Sequence, residues 1–364
     1  MKNLILGFLV FLVIGSCIDP ITLKVESEEG AIVVDGGITG TEGPYVVNLF
    51  RSVGVYSDLE KRPAVTGSFV YIIDEEGTKH RLKDNAPGIF VSDPSFKAEY
   101  GKSYYLRIEA FGGNIYESEP DILRPIGDID NVYFEFEDKV DEPNSPENNA
   151  GFNVYIDAKL NESDVNYVRW NWSGIYETQT FPEKKMSRSP DGPLVPDPLP
   201  CSGYRIINGT LTQSSPCSCC SCWVSEYSRA PEVGDLTFYG GQVSRYKIAY
   251  IPATKELFLN KYYVQVQQAS ISKEVHDYWE LVKVQKEGGS SLFQPTSAKI
   301  KGNLRCINDP TAEVFGLFSV SDVKTKSIFI QRSDIPYNLL PIDEVPNDCR
   351  FVAENSSTVK PDFW

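Results

Sequence analysis

Histidine and methionine are almost missing from this chain, with two of each in 364 residues. Chemistry that needs an imidazole therefore falls to His80 or His276, which weighs against most histidine-dependent hydrolases and metalloenzymes. Positive charge is also scarce. Lys and Arg total 35 against 50 Asp and Glu, a net charge of −15. A surface of that sign repels nucleic-acid phosphates instead of neutralising them, so no nucleic-acid partner is expected. Beyond residue 17 there is no apolar run of the ~18 residues that a membrane-crossing helix needs. Gly-x-Ser-x-Gly, His-Glu-x-x-His, the Walker loop and Gly-x-Gly-x-x-Gly are all missing. Without them the sequence names no catalytic residue, no resident metal and no cofactor. It also shows no internal repeat.

What is present reads as an exported β protein. The chain is 41% hydrophobic, 23% charged and 12% aromatic, which is ordinary globular usage and leads to an expectation of two domains. Met1-Lys2-Asn3 is a short positive start, and Leu4 to Ile14 follows with Gly7 and otherwise only Leu, Ile, Val and Phe. Such a run is too short to span a bilayer and has the length of a signal-peptide core. It ends in Ile14-Gly15-Ser16-Cys17, which resembles a bacterial lipobox: small residues admit the peptidase, and only a thiol forms the thioether to lipid. Residues 1–16 are thus expected to be a lipoprotein signal peptide, with Cys17 lipidated. Two or three acyl chains, at about 0.8 kcal/mol per buried methylene, make the lipid bilayer a durable partner. Residues 17–30, with Asp19, Glu26, Glu28 and Glu29, suit an acidic tether.

From Ala31 the pattern has period two. Tyr104, Leu106, Ile108 and Ala110 alternate with Tyr105, Arg107 and Glu109; Phe152 to Leu160 alternates likewise. This predicts half-buried strands, and Gly36-Gly37, Glu75-Glu76-Gly77 and Gly112-Gly113-Asn114 predict turns between strands. The fold class expected is mainly β. Residues 31–125 are read as an immunoglobulin-like β-sandwich, Pro120 and Pro125 as a joint, and 126–364 as a larger, irregular β domain with one short helix. That helix is predicted over 273–286, where Val275, Tyr278, Trp279 and Val282 share one face. His276-Asp277 falls on the opposite, exposed side, and His80 lies among charges at a hairpin edge. Among the aromatics, Tyr133, Trp170, Trp172, Tyr176 and Trp223 suit stacking on a sugar or a partner. Large rings at strand spacing are nevertheless expected in the core.

The insertion 186–222 differs from its surroundings. Pro190, Pro193, Pro196, Pro198 and Pro200 remove backbone donors, so it is no central strand. It reads either as a variable surface insertion or as a loop that contacts a partner. Once Cys17 is lipidated, Cys201, Cys217, Cys219, Cys220, Cys222, Cys306 and Cys349 remain, and in an exported protein they are disulfide candidates. Seven is an odd number and leaves one thiol over. The tight Cys217–Cys222 cluster suits loop-stapling disulfides, with a zinc or copper(I) site as the alternative. Cys306 to Cys349 suggests a long-range bridge.

Several stretches resemble a family of outer-membrane lipoproteins of unknown function from Bacteroidota. They include Val33-Val34-Asp35-Gly36-Gly37, Gly43-Pro44-Tyr45, Gly101-Lys102-Ser103-Tyr104-Tyr105 and Arg169-Trp170-Asn171-Trp172-Ser173-Gly174. They continue with Cys222-Trp223, Tyr278-Trp279, Gly302-Asn303 and the closing Lys360-Pro361-Asp362-Phe363-Trp364. The resemblance runs from Cys17 to Trp364. It departs at the doubled cysteines and at the single Cys349, where relatives often carry a Cys-x-x-Cys pair. It implies an outer-membrane protein, more on the extracellular than the periplasmic face, commonly encoded beside a TonB-dependent receptor, with no catalytic residues to inherit. The expected function is a non-enzymatic accessory that partners such a receptor in ligand capture. The alternatives are a surface hydrolase with a carboxylate pair, as in glycosidases, and metal or redox handling by the cysteines.

Overall fold

Alternation along Ser103–Glu109 buries Tyr104, Leu106 and Ile108 and leaves Tyr105, Arg107 and Glu109 on the other face, as the period-two pattern predicts. The computed structural model describes residues 30–54, 62–138, 150–159, 167–237, 241–288 and 299–364. The signal peptide, Cys17 and the tether up to residue 29 lie outside the described residues. The fold is mainly β, in two sandwiches with separate cores.

In the first sandwich, a five-stranded and a six-stranded sheet face each other over Val34, Val47, Leu49, Phe90, Ile72, Leu106 and Ile108. It corrects the expected limit at residue 125. Leu304–Cys306 pairs with Ile115–Ser118, and Val314–Ser321 runs parallel to Ile32–Thr39. The chain therefore leaves the first sandwich, builds most of the second, and returns to complete the first. Gly302-Asn303 secures the return. Asn303 Nδ2 donates to the Phe318 carbonyl at 2.7 Å, and its Oδ1 accepts from the Phe318 N–H at 3.0 Å. Gly316 has φ +95° and lies so close to the Val34 backbone that a Cβ would collide.

The second sandwich packs a three-stranded sheet (Ile129–Glu137, Gly151–Lys159, Gln242–Pro252) on a six-stranded one. The larger sheet is ordered Val323–Gln331, Lys261–Ile271, Tyr167–Gln179, Ser221–Tyr227, Ser356–Ser357, and Glu232–Asp235 also pairs with Tyr167–Gln179. Phe152, Val154, Trp170, Tyr262, Val264 and Val266 fill the space between the two sheets. The helix runs Lys273–Gly288 and sets Val275, Tyr278 and Trp279 against Val233, Ile271 and Leu317.

The joint between the sandwiches is polar. Asp322 is 3% exposed and accepts hydrogen bonds from the Tyr100 hydroxyl at 3.0 Å and from the N–H groups of Ile126 and Val323, each at 2.9 Å. Ser270 Oγ accepts from the Asp322 N–H at 2.8 Å and donates to the Arg124 carbonyl at 2.7 Å.

Asp121 lies near the joint, 6% exposed, with its Oδ2 unpartnered among the described residues. Burial raises its carboxyl pKa, against opposition from the Ile122 N–H and Arg124. A raised folded-state pKa means that the folded chain holds this proton more tightly than the unfolded one. Its contribution to stability is therefore greatest in acid and is lost as pH rises from the usual Asp range through the raised value. Asp121→Asn should gain stability relative to the parent between about pH 3 and about pH 7. Denaturant midpoints at the two pH values check this, and a constant difference would contradict it.

Candidate functional site

The proline-rich insertion folds into two short hairpins set off from both sandwiches. Met186–Arg188 pairs with Leu194–Pro196, and Tyr204–Ile207 with Thr210–Gln213. Proline cannot serve a central ladder, but it is tolerated in these two-stranded edges. Cys201–Cys219 closes the loop that carries the second hairpin, Cys217–Cys220 tightens its exit, and Cys222–Cys349 fixes the following strand to the C-terminal segment. The expected Cys306–Cys349 bridge is thereby corrected. Cys306 is a buried free thiol in the core of the first sandwich, while Cys349 meets Cys222 on the second. The sulfurs of Cys201 and Cys219 and the Asp348 carboxylate cluster within 4.8 Å, but both sulfurs are consumed in one bridge and offer no thiolate to a metal. Hydrogen bonds from Arg350 hold the Asp348 carboxyl below its usual range.

The hairpins present apolar side chains to solvent. Met186, Leu194, Val195, Ile206, Ile207 and Leu211 are each between 38% and 62% exposed. From Pro198 to Cys222 the only charged residue is Arg205, in a chain that is 23% charged overall. The second hairpin is thus nearly uncharged, while the first carries Arg188 and Asp191 beside its apolar side chains; exposed apolar surface of this kind has the character of a contact surface.

A second feature lies on the outer face of the six-stranded sheet. The register sets Asn171 opposite Gln267 and Ser173 opposite both Gln265 and Tyr227. With Trp172 and Ser228 these residues line a cleft of about 350 Å³. Two aromatic contacts flank it along the strands. At one, the Trp279 ring of the helix lies 3.8 Å from the Arg169 guanidinium, whose pKa burial lowers to about 10. At the other, the C-terminal Phe363 stacks on Tyr263 at 4.3 Å, and Trp364 packs edge-on against Phe329 at 6.0 Å.

A second cleft, of about 520 Å³, opens on the first sandwich between Asp74, His80, Asp93, Phe96, Glu99 and Tyr104. His80 Nε2 is 4.0 Å from Asp74 Oδ2, and its ring lies on Phe96. Burial opposes ionisation of Asp74, but hydrogen bonds from Thr78 and Glu76 outweigh it and lower the pKa; Ser95 does the same for Asp93. Both carboxylates thus favour the charged form, unlike the proton-holding acid of a glycosidase pair.

His276 departs from its expected exposure. Its side chain is 13% exposed, with its ring centroid 5.0 Å from that of Tyr167 and Nδ1 3.2 Å from Asp277. Trp170 is buried and donates to Gln268 at 2.8 Å, while Trp172 and Tyr176 pack against the second core. Burial, with Glu226 nearby, pushes Tyr176 up to about 12. Tyr133 stacks on Tyr155, and Trp223 is half-buried. The sequence reading missed the amide strip of Asn171, Gln265 and Gln267 and the exposed Tyr227. Its signal was the alternation of polar residues on strands whose other face is apolar.

These features define a class: a two-sandwich β protein with a disulfide-stapled apolar protrusion and an uncharged cleft. Residues 18–327 match the family described as Domain of unknown function (DUF4249), and the chain belongs to that family. No curated protein matches it.

Proposed function

We propose that this protein is a lipid-anchored accessory of the outer membrane, held by acylated Cys17, that partners a TonB-dependent receptor in capturing or admitting a ligand. The observation that carries this reading is the stapled hairpin pair. Its exposed aliphatic side chains favour a protein surface that covers them, because each leaves water on docking. The near absence of charge on the second hairpin fits the desolvated centre of such an interface, where charged residues are depleted, and Arg188 and Asp191 on the first suit its polar rim. The Cys201–Cys219 and Cys217–Cys220 bridges restrain the second hairpin before contact, which lowers the entropic cost of binding. The lipobox and the resemblance supply the membrane setting and the barrel partner.

The test is affinity purification of the tagged full-length chain from its native outer membrane, with mass spectrometry of the proteins retained. A TonB-dependent barrel recovered in stoichiometric amount is the expected result. Recovery of the chain alone, in detergents that preserve such complexes, would overturn the partnership.

A further inference from the structure

The cleft on the outer sheet face is built to form hydrogen bonds yet is largely unused within the protein. None of its seven lining residues is charged. Among the described residues, the side chains of Asn171, Ser173, Gln267, Tyr227 and Ser228 form no hydrogen bond, and Gln265 spends only its Nε2 on the Tyr263 hydroxyl at 3.3 Å. Tyr227 is 62% exposed at the rim.

We infer that this cleft binds a neutral saccharide. Each amide offers a donor and an acceptor, and so does each hydroxyl; vicinal sugar hydroxyls ask for that combination. The exposed Tyr227 ring provides an apolar face for a pyranose ring to lie against. Other ligand classes fit less well. An anion finds no lining cation and meets a chain of net charge −15. A cation finds no lining carboxylate. An apolar ligand would leave the amides dehydrated and unpaired. An extended peptide adds to a sheet through free backbone groups at an edge, whereas Tyr167–Gln179 and Lys261–Ile271 have neighbours on both sides. The volume of about 350 Å³ lies at the small end of ordinary ligand pockets, which suits one segment of a longer glycan held in an open groove.

The inference gives a chemical class to the ligand in the capture reading and rests on that reading only for its setting. Its test needs no receptor, so either can fail alone. The full-length chain, kept in a sugar-free detergent, is titrated by calorimetry with neutral hexasaccharides of glucose, mannose, galactose and xylose, and with an acidic galacturonate hexamer as control. Saturable binding of at least one neutral probe is expected, weakened about fivefold or more by Gln265→Ala and by Tyr227→Ala, and unchanged in His80→Ala. The inference is overturned if no neutral probe saturates, if only the acidic one binds, or if binding persists unweakened in the Gln265→Ala/Tyr227→Ala double variant. Far-UV circular dichroism identical to the parent shows that each variant is folded.

Discussion

Replacing Cys222 and Cys349 together by serine is expected to lower stability by about 3–5 kcal/mol, the largest effect of removing any one bridge. The two residues are 127 apart in sequence. In the chain-entropy model, closing a loop of that length restrains the unfolded chain by roughly 5 kcal/mol, against roughly 2 kcal/mol for a loop as short as Cys217–Cys220. Both cysteines are fully buried, and the bridge ties the C-terminal segment to Ser221–Tyr227. That segment also adds Ser356–Ser357 to the sheet and lays Phe363 and Trp364 on its outer face. Urea titration of the double variant beside a Cys217→Ser/Cys220→Ser control measures the difference. Equal losses in the two would show that loop length does not govern these bridges.

Asp322→Ala should cost about 2–4 kcal/mol, because it strips the partner from the buried Ile126 N–H, the part-buried Val323 N–H and the Tyr100 phenol at once. The chain crosses from one sandwich to the other at this residue: Val314–Ser321 belongs to the first and Val323–Gln331 to the second. Tyr100, Ile126 and Val323 all donate to its carboxylate. Tyr100→Phe removes one donor and leaves no buried group orphaned on the tyrosine side, so it should cost only about 1 kcal/mol. Denaturation monitored by tryptophan fluorescence, which reports on the second sandwich through Trp170, distinguishes the two variants. A loss for Asp322→Ala no larger than for Tyr100→Phe would remove this residue from its place at the joint.

Local pattern made much of the fold legible. Ser103–Glu109 and Gly151–Lys159 fall where alternation places strands, and Lys273–Gly288 falls where the apolar stripe places a helix. What escaped was non-local. Nothing in the local pattern of Val314–Ser321 shows that it pairs in parallel with Ile32–Thr39, some 280 residues earlier. That pairing is written in tertiary packing, through the Asn303 clamp and the close approach of Gly316 to Val34. Cysteine partners are equally invisible in spacing, which is why Cys306 looked like a mate for Cys349. His276 shows how a helical wheel can mislead: it lies off the apolar stripe, yet Tyr167 from the neighbouring sheet covers it. The polar residues of the cleft were each readable as an exposed strand face. Only the register, with Asn171 across from Gln267 and Ser173 across from Gln265, gathers them into one surface.

As the proposed contact surface for a membrane barrel, the stapled hairpins are open to a direct comparison. The parent chain and a Met186→Ser/Leu194→Ser/Ile206→Ser/Leu211→Ser variant, expressed at equal level, are purified side by side from native outer membranes. The barrel recovered per mole of lipoprotein is then quantified by mass spectrometry. All four side chains are solvent-exposed, so the variant should fold and anchor normally. At least a tenfold drop in co-purified barrel is expected, about 1.4 kcal/mol of lost binding. Undiminished recovery with the variant would contradict it.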